Sequence, residues 1–133
     1  MNDKGTTELE SQSVQHSPLQ NALTVDVEDL PQSTLDHARP ITGRAVTNTR
    51  RMLELFQEHN VQGTFFVLGL LAEKFPQVVR EIADAGHEVA SHGYSHKPVF
   101  QIGPNAFTDE VDRSKKLLED ITGSPVRGYR APD

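Results

Sequence analysis

The chain has 133 residues, 35% of them hydrophobic and 24% charged, with a formal net charge of −6. That suits one globular unit with a modest core, and it argues against a protein that tracks nucleic-acid phosphates, which needs a basic face. There is no cysteine, so disulfide frameworks, cysteine-ligated zinc and thiol nucleophiles are excluded, and any metal must be held by His, Asp or Glu.

Residues 1–21 are polar throughout. They cannot bury enough apolar surface to offset the entropy of ordering, which predicts a disordered lead-in. They show no basic stretch followed by an apolar one, so no export signal is visible and a cytoplasmic location is favoured. No apolar run approaches the ~20 residues of a membrane span. Ala22–Val27 is apolar and β-branched and predicts a buried strand, which stops at the acids Asp26, Glu28 and Asp29. Pro31, Pro40 and Gly43 mark 30–43 as a loop. From Arg44 to Asn60 the pattern is helical, with Val46, Thr49, Leu53 and Phe56 on one face and Met52 beside them.

Gly63–Gly69 reads as a second strand bounded by glycines. A helix follows over about Pro76–Ala85, with Pro76 in its first turn, Gly86 past its end and Val78, Val79 and Ile82 on its buried face. His87–Ser91 is a third, shorter strand that delivers His92. After Pro98, Gly103 and Pro104, the pattern predicts a helix over Thr108–Thr122. Thr108 is its cap, Gly123 its stop, and Val111, Leu118 and Ile121 its inner stripe. Val126–Arg130 opens a fourth strand. The order βαβαβαβ implies a parallel sheet whose strand ends share one rim, where sites are built. A closed (β/α) barrel needs about 200–250 residues and only about 110 look structured here. Either the sheet is small and open, or the chain is the first half of a longer domain.

His92 and His96 are spaced i, i+4, but Gly93 and the preceding strand argue for a turn. A turn can also converge two imidazoles, the commonest ligands of divalent transition metals. Alone, the pair is a weak signal, because loop histidines are more often solvated. The acids strengthen it. One carboxylate can complete a His₂-carboxylate metal site, and another, held close but off the metal, can act as general base. Arg130 can hold such a base in place, or it is simply a surface arginine. Tyr94 is a candidate substrate-binding residue lining a groove, or it covers the loop. His87 and Glu88 read as strand residues pairing locally, His16 and His37 as solvated, and Phe65 and Phe66 as core. There is no glycine-rich phosphate loop and no serine nucleophile elbow.

In this order, these residues resemble the polysaccharide deacetylase family, the NodB-homology domain of carbohydrate esterase family four, over residues 22–133. Thr24-Val25-Asp26-Val27-Glu28-Asp29 stands where the family's first motif usually reads Thr-Phe-Asp-Asp-Gly. Gly63-Thr64-Phe65-Phe66-Val67 is similar to its second strand. Gly86 to His92, continuing to His96, is similar to its second motif, and Arg130-Ala131-Pro132 to the start of its third.

The resemblance implies the first half of a distorted (β/α) barrel with a parallel sheet. It implies Asp26 as the catalytic base, Arg130 as the residue that positions it, and His92 and His96 as ligands of a divalent metal, zinc foremost. The Asp-x-Glu/Asp spelling favours Glu28 as the third ligand, with Asp29 as the alternative. It also resembles a bacterial branch associated with exopolysaccharide synthesis. The implied reaction removes N-acetyl groups from amino sugars of a polysaccharide. The family's later motifs, with the histidine that serves as general acid, have no counterpart within these 133 residues. Residues 22–133 are therefore expected to be the N-terminal part of a catalytic domain, nearly inactive alone. Two other readings compete: hydrolysis of another small or cyclic amide on the same scaffold, and a non-catalytic metal- or glycan-binding remnant.

Overall fold

The computed structural model describes residues 21–33 and 39–133. Residues 1–20 of the expected lead-in, and His16 and His37, lie outside the described residues. Three short parallel strands, β1 (Thr24–Val27), β2 (Thr64–Val67) and β3 (Glu88–Ser91), form a sheet in the order β1-β2-β3. The helices are α1 (Leu30–Ser33), α2 (Arg44–Glu58), α3 (Gly69–Lys74), α4 (Pro76–Asp84) and α5 (Pro104–Thr122), with a single 3₁₀ turn at Val99–Gln101. The register aligns Val27 with Val67 and Val67 with Ser91.

Strand alternation sorts the side chains onto two faces. Val27, Phe65, Val67 and Val89 join Leu68, Leu71, Val78, Val79, Ile82 and Leu118 in one buried cluster under the helices. The opposite face carries Thr24, Asp26, Thr64, Phe66 and Glu88, and the Thr64 hydroxyl donates to Glu88 across the strands at 2.6 Å. The first strand was expected to be buried; instead Thr24 and Asp26 are exposed. Among the described residues β1 has a strand neighbour on one side only, and the Arg130 side chain reaches across the face that carries Thr24 and Asp26.

Four other differences have local causes. The turn α1 falls inside the expected loop, because Asp29 accepts the Leu30 N–H (3.0 Å) and Pro31 sits in a first turn, where its missing N–H is harmless. The second strand stops at Val67, and Gly69 opens α3 instead of ending the strand. A Cβ on Gly69 would lie 2.9 Å from the Tyr94 Cα, so only glycine admits the Tyr94 backbone there. The last helix starts at Pro104 with Gly103 as its cap, and Thr108 bonds back to the Pro104 carbonyl (3.1 Å). Ser114 and Leu118 are its fully buried residues, while Val111 and Ile121 are partly covered. The fourth strand is a single parallel bridge, Ser91 to Tyr129, made by Ser91 N–H to Gly128 O (2.9 Å) and Arg130 N–H to Ser91 O (2.9 Å). It still lays Arg130 beside the end of β3.

His87 is buried at the opposite end of the sheet. Its ring packs against Phe56 and Phe65, with centroids 5.5 and 5.0 Å away, and its Nδ1 accepts the Gly63 N–H at 3.3 Å. Burial pushes its pKa down. The unfolded chain then binds a proton at His87 before the folded chain does. Its contribution to stability is complete above the ordinary value of about 6.5 and declines as pH falls below it. Compared with a His87→Phe variant, the wild type should lose more thermal stability between pH about 7 and 5. Parallel melting curves across that range would show it, and superimposable pH dependences would contradict it.

Candidate metal centre and catalytic base

The common rim of the sheet receives Glu28, one residue past β1, and His92, one residue past β3. Backbone pairing continues there: Leu68 N–H donates to Val27 O (3.1 Å) and His92 N–H to Val67 O (3.0 Å). The chain then turns through Gly93 (φ 74°) and reaches His96, which itself has a positive φ of 62°. This turn faces the two imidazoles toward each other, with ring centroids 5.2 Å apart. Glu28 Oε2 lies 2.7 Å from His96 Nε2 and 3.3 Å from His92 Nε2. One donor atom from each of the three residues falls within 4.8 Å of the others.

Both histidines are almost completely buried. His92 Nδ1 is 3.0 Å from the Arg130 carbonyl. A carbonyl can only accept, so Nδ1 carries the hydrogen and Nε2 is left toward Glu28. Burial alone would raise the Glu28 carboxyl, but its contacts with His92 and His96 outweigh burial and lower it to about 2. Burial likewise depresses His92, yet Glu28, the Arg130 carbonyl and the Asp26 charge raise it on balance.

The three residues fit a divalent metal. Glu28 Oε2 is buried without a hydrogen-bond partner, although two imidazole nitrogens stand beside it, and His96 Nδ1 also lacks a partner among the described residues. A buried ionised oxygen facing two nitrogens is costly unless a cation joins them. Two imidazoles and one carboxylate form the donor set expected for such an ion, with coordination positions left open.

Asp26 stands apart from this group. Its Oδ1 accepts from Arg130 Nη1 at 2.6 Å, and Arg130 Nη2 donates to Thr24 Oγ1 at 2.8 Å. The guanidinium carbon also lies 4.1 Å from the Phe66 ring centroid. Arg130 is thus fixed by a strand hydroxyl, a ring face and the carboxylate it orients.

Asp29 is not brought to the histidines. Its Oδ2 accepts from Thr42 N–H and Oγ1–H (both 2.7 Å), and its Oδ1 from Leu30 N–H (3.0 Å) and Arg44 Nη2 (3.3 Å). Burial raises the Asp29 carboxyl, but these donors and the Arg44 charge bring it below its ordinary value. The residue ties down the segment after β1. Tyr94 is buried instead of lying open at the surface. It is 6% exposed, the Arg113 guanidinium lies 3.6 Å from its ring centroid, and its hydroxyl donates to Glu73 at 2.5 Å. Burial, then the Glu73 bond, pushes that hydroxyl up to about 12. The sequence reading missed Thr24 and Phe66 as supports of Arg130. Their signal was positional: both lie on the face of the sheet that carries Asp26.

The profile of the family described as polysaccharide deacetylase matches residues 22–133. The chain belongs to that family. It is 33% identical over 84 residues to a peptidoglycan-N-acetylglucosamine deacetylase of Bacillus cereus, a match covering 63% of this chain and 30% of the relative. A chitooligosaccharide deacetylase of Sinorhizobium fredii is 33% identical over 85 residues, covering 63% of this chain and 40% of the relative. A solved peptidoglycan N-acetylglucosamine deacetylase superposes with a TM-score of 0.67 at 29% identity, covering 83% of this chain and 44% of that one. The chain therefore spans less than half the length of these relatives. The solved relatives have a (β/α) barrel fold, of which the three-stranded sheet and its helices form part. No described helix is long and apolar enough to cross a membrane.

Replacing His92 or His96 by alanine removes one of the three donors. Each variant should lose stoichiometric binding of zinc, because a site with two donors left holds the ion far more weakly than one with three. Equilibrium dialysis with zinc checks this, and full occupancy in either variant would refute the donor set.

Proposed function

We propose that the protein hydrolyses N-acetyl groups on amino sugars of a polysaccharide, releasing acetate and a free amino sugar. The observation that carries this reading is an arginine-held carboxylate, Asp26, two residues before Glu28 on the same face of the sheet, with Glu28, His92 and His96 brought together as a mostly buried donor group. The named relatives act on N-acetylglucosamine in peptidoglycan and on chitooligosaccharides, and an acetylated amino sugar is what those substrates share.

Glu28, His92 and His96 would hold a divalent ion, zinc by the character of the donors, which would supply Lewis acidity at the acetamide carbonyl. Asp26 is the base. Its partly exposed carboxylate takes a proton from a water molecule as that water attacks the carbonyl carbon. Arg130 holds the carboxylate through Oδ1 and leaves Oδ2 for that proton. The C–N bond then breaks. The leaving amine takes its proton from a group outside residues 22–133, which this reading assigns to the remainder of the catalytic domain. Asp29 serves the loop after β1 instead of the metal, because both its oxygens are engaged by Thr42, Leu30 and Arg44.

The Asp26→Asn variant of the natural full-length protein tests the base. Acetate release from an N-acetylglucosamine oligomer should fall about 10²–10⁴-fold, the usual contribution of a positioned base. Zinc content should be unchanged, because Asp26 is not in the donor group. Undiminished acetate release would exclude Asp26 as the base. A wild-type protein that binds zinc but releases no acetate from any such oligomer would favour a binding role.

A further inference from the structure

The loop between the two histidines is held by more than its own sequence. Of the four peptide units between His92 and His96, the middle two are Gly93–Tyr94 and Tyr94–Ser95. Their carbonyls accept from the first amides of α3, Gly69 N–H to Gly93 O and Leu70 N–H to Tyr94 O, both at 2.9 Å. Their amides point to the other side and converge on one carboxylate: Tyr94 N–H and Ser95 N–H donate to Glu110 Oε2 at 3.0 and 2.8 Å. The Ser95 hydroxyl donates to Glu110 Oε1 at 2.6 Å. Each peptide plane is therefore gripped at both ends.

Glu110 sits on α5, four residues before Ser114 and eight before Leu118, so the three share a helix face. Leu118 is fully buried in the core, and Ser114 Oγ meets Ser91 Oγ at 2.9 Å, next to His92. Ser91 Oγ in turn accepts the Gly93 N–H at 3.2 Å. The helix thus grips the loop at two points, from a body that the core keeps still.

We infer that Glu110 is a positioning residue that sets the angle between the His92 and His96 imidazoles and thereby the affinity of the site for a divalent metal. This rests on the reading of Glu28, His92 and His96 as metal ligands. The carboxylate acts through its reach and its acceptor geometry, not through its charge. Glutamine can replace it: the amide oxygen accepts the two backbone N–H groups, and the amide nitrogen donates to the Ser95 hydroxyl. Aspartate keeps the charge but is one methylene too short to reach both amides.

The test uses the natural full-length protein with Glu110→Gln, Glu110→Asp and Glu110→Ala, titrated with Zn²⁺ against a chromophoric chelator and with Co²⁺ by visible absorption. Apo-protein melting temperatures are measured alongside. Glu110→Ala and Glu110→Asp should bind zinc about 10–100-fold more weakly, the range for lost outer supports of metal ligands, and should alter the Co²⁺ spectrum. Glu110→Gln should stay within about threefold of wild type, with the spectrum retained. A purely structural role would move the melting temperature without changing the spectrum. Should Glu110→Ala fail to fold, the aspartate–glutamine contrast decides. Wild-type affinity in Glu110→Asp, or the reverse order with glutamine weaker than aspartate, would overturn the clamp while leaving the metal centre standing. A wild-type protein that binds neither ion would overturn the metal centre and the clamp together.

Discussion

The row in which Val27, Val67 and Ser91 pair side by side is the constraint on which the site depends. Because the strands run parallel and stop in one row, the residues just after β1 and β3 emerge together. Glu28 and His92 are then neighbours, although they are far apart in the chain. The row is fixed by burial. Val27, Phe65, Val67 and Val89 must face the helices, and a slip of one residue would turn all of a strand's side chains over. Such a slip in β1 would take Glu28 to the helix side and expose Val27. The candidate metal donors Glu28 and His92 are therefore positioned by the burial of apolar side chains elsewhere on the strands.

The same alternation divides the labour among the three acids. Asp26 and Glu28 are two residues apart and share the open side of the sheet, whereas Asp29 lies on the other parity. Asp26, still within the strand, has rigid backbone on both sides and a guanidinium beside it. Its pair with Arg130 is roughly one-third exposed on each side (37% and 36%). An ion pair so open to water contributes only about 0–1 kcal/mol to stability. Orientation of the carboxylate, supported by Thr24 and the Phe66 ring, is the larger consequence. Glu28 has the opposite surroundings: it is mostly covered, meets two imidazoles and lacks a hydrogen-bond donor for Oε2. A protein that needs one carboxylate to take a proton and another to hold a cation requires this contrast.

Much of this was legible in the sequence, for identifiable reasons. The three strands, α2 and α4 carry apolar periodicities strong enough to locate them within a few residues. Asp26, Glu28, His92, His96 and Arg130 stand in short local motifs at strand ends. The helix α3 was not legible, because Gly-Leu-Leu-Ala continues the apolar run of β2 and periodicity cannot separate the two. The choice of Glu28 over Asp29 could have been made from strand parity, yet the burial of Asp29 depends on Thr42 and Arg44 across a loop. The position of Tyr94 depends on Gly69, Glu73 and Arg113, all on other helices, so an aromatic between two histidines looked like a surface contact. Glu110 had no local signal. It is an acidic residue in the early turns of an amphipathic helix, and only the tertiary fold shows the amides it accepts.

The turn at His92–His96 shows why a short motif needs a whole domain. His96 holds a positive φ without being glycine, a conformation that costs roughly 1–3 kcal/mol and persists only when its surroundings over-determine it. Nothing within the five residues supplies that. The restraint comes from the first amides of α3, from the Arg130 carbonyl on His92 Nδ1, and from α5, whose own position is fixed by Leu118 in the core. Each of these is set by packing of the cluster that also fixes the strand register. A loosened core would therefore relax the histidine turn before it separated the strands. Any metal affinity of the Glu28–His92–His96 group should accordingly respond to core substitutions that leave the secondary structure intact, because Glu28 and His92 follow the sheet while His96 follows the helices.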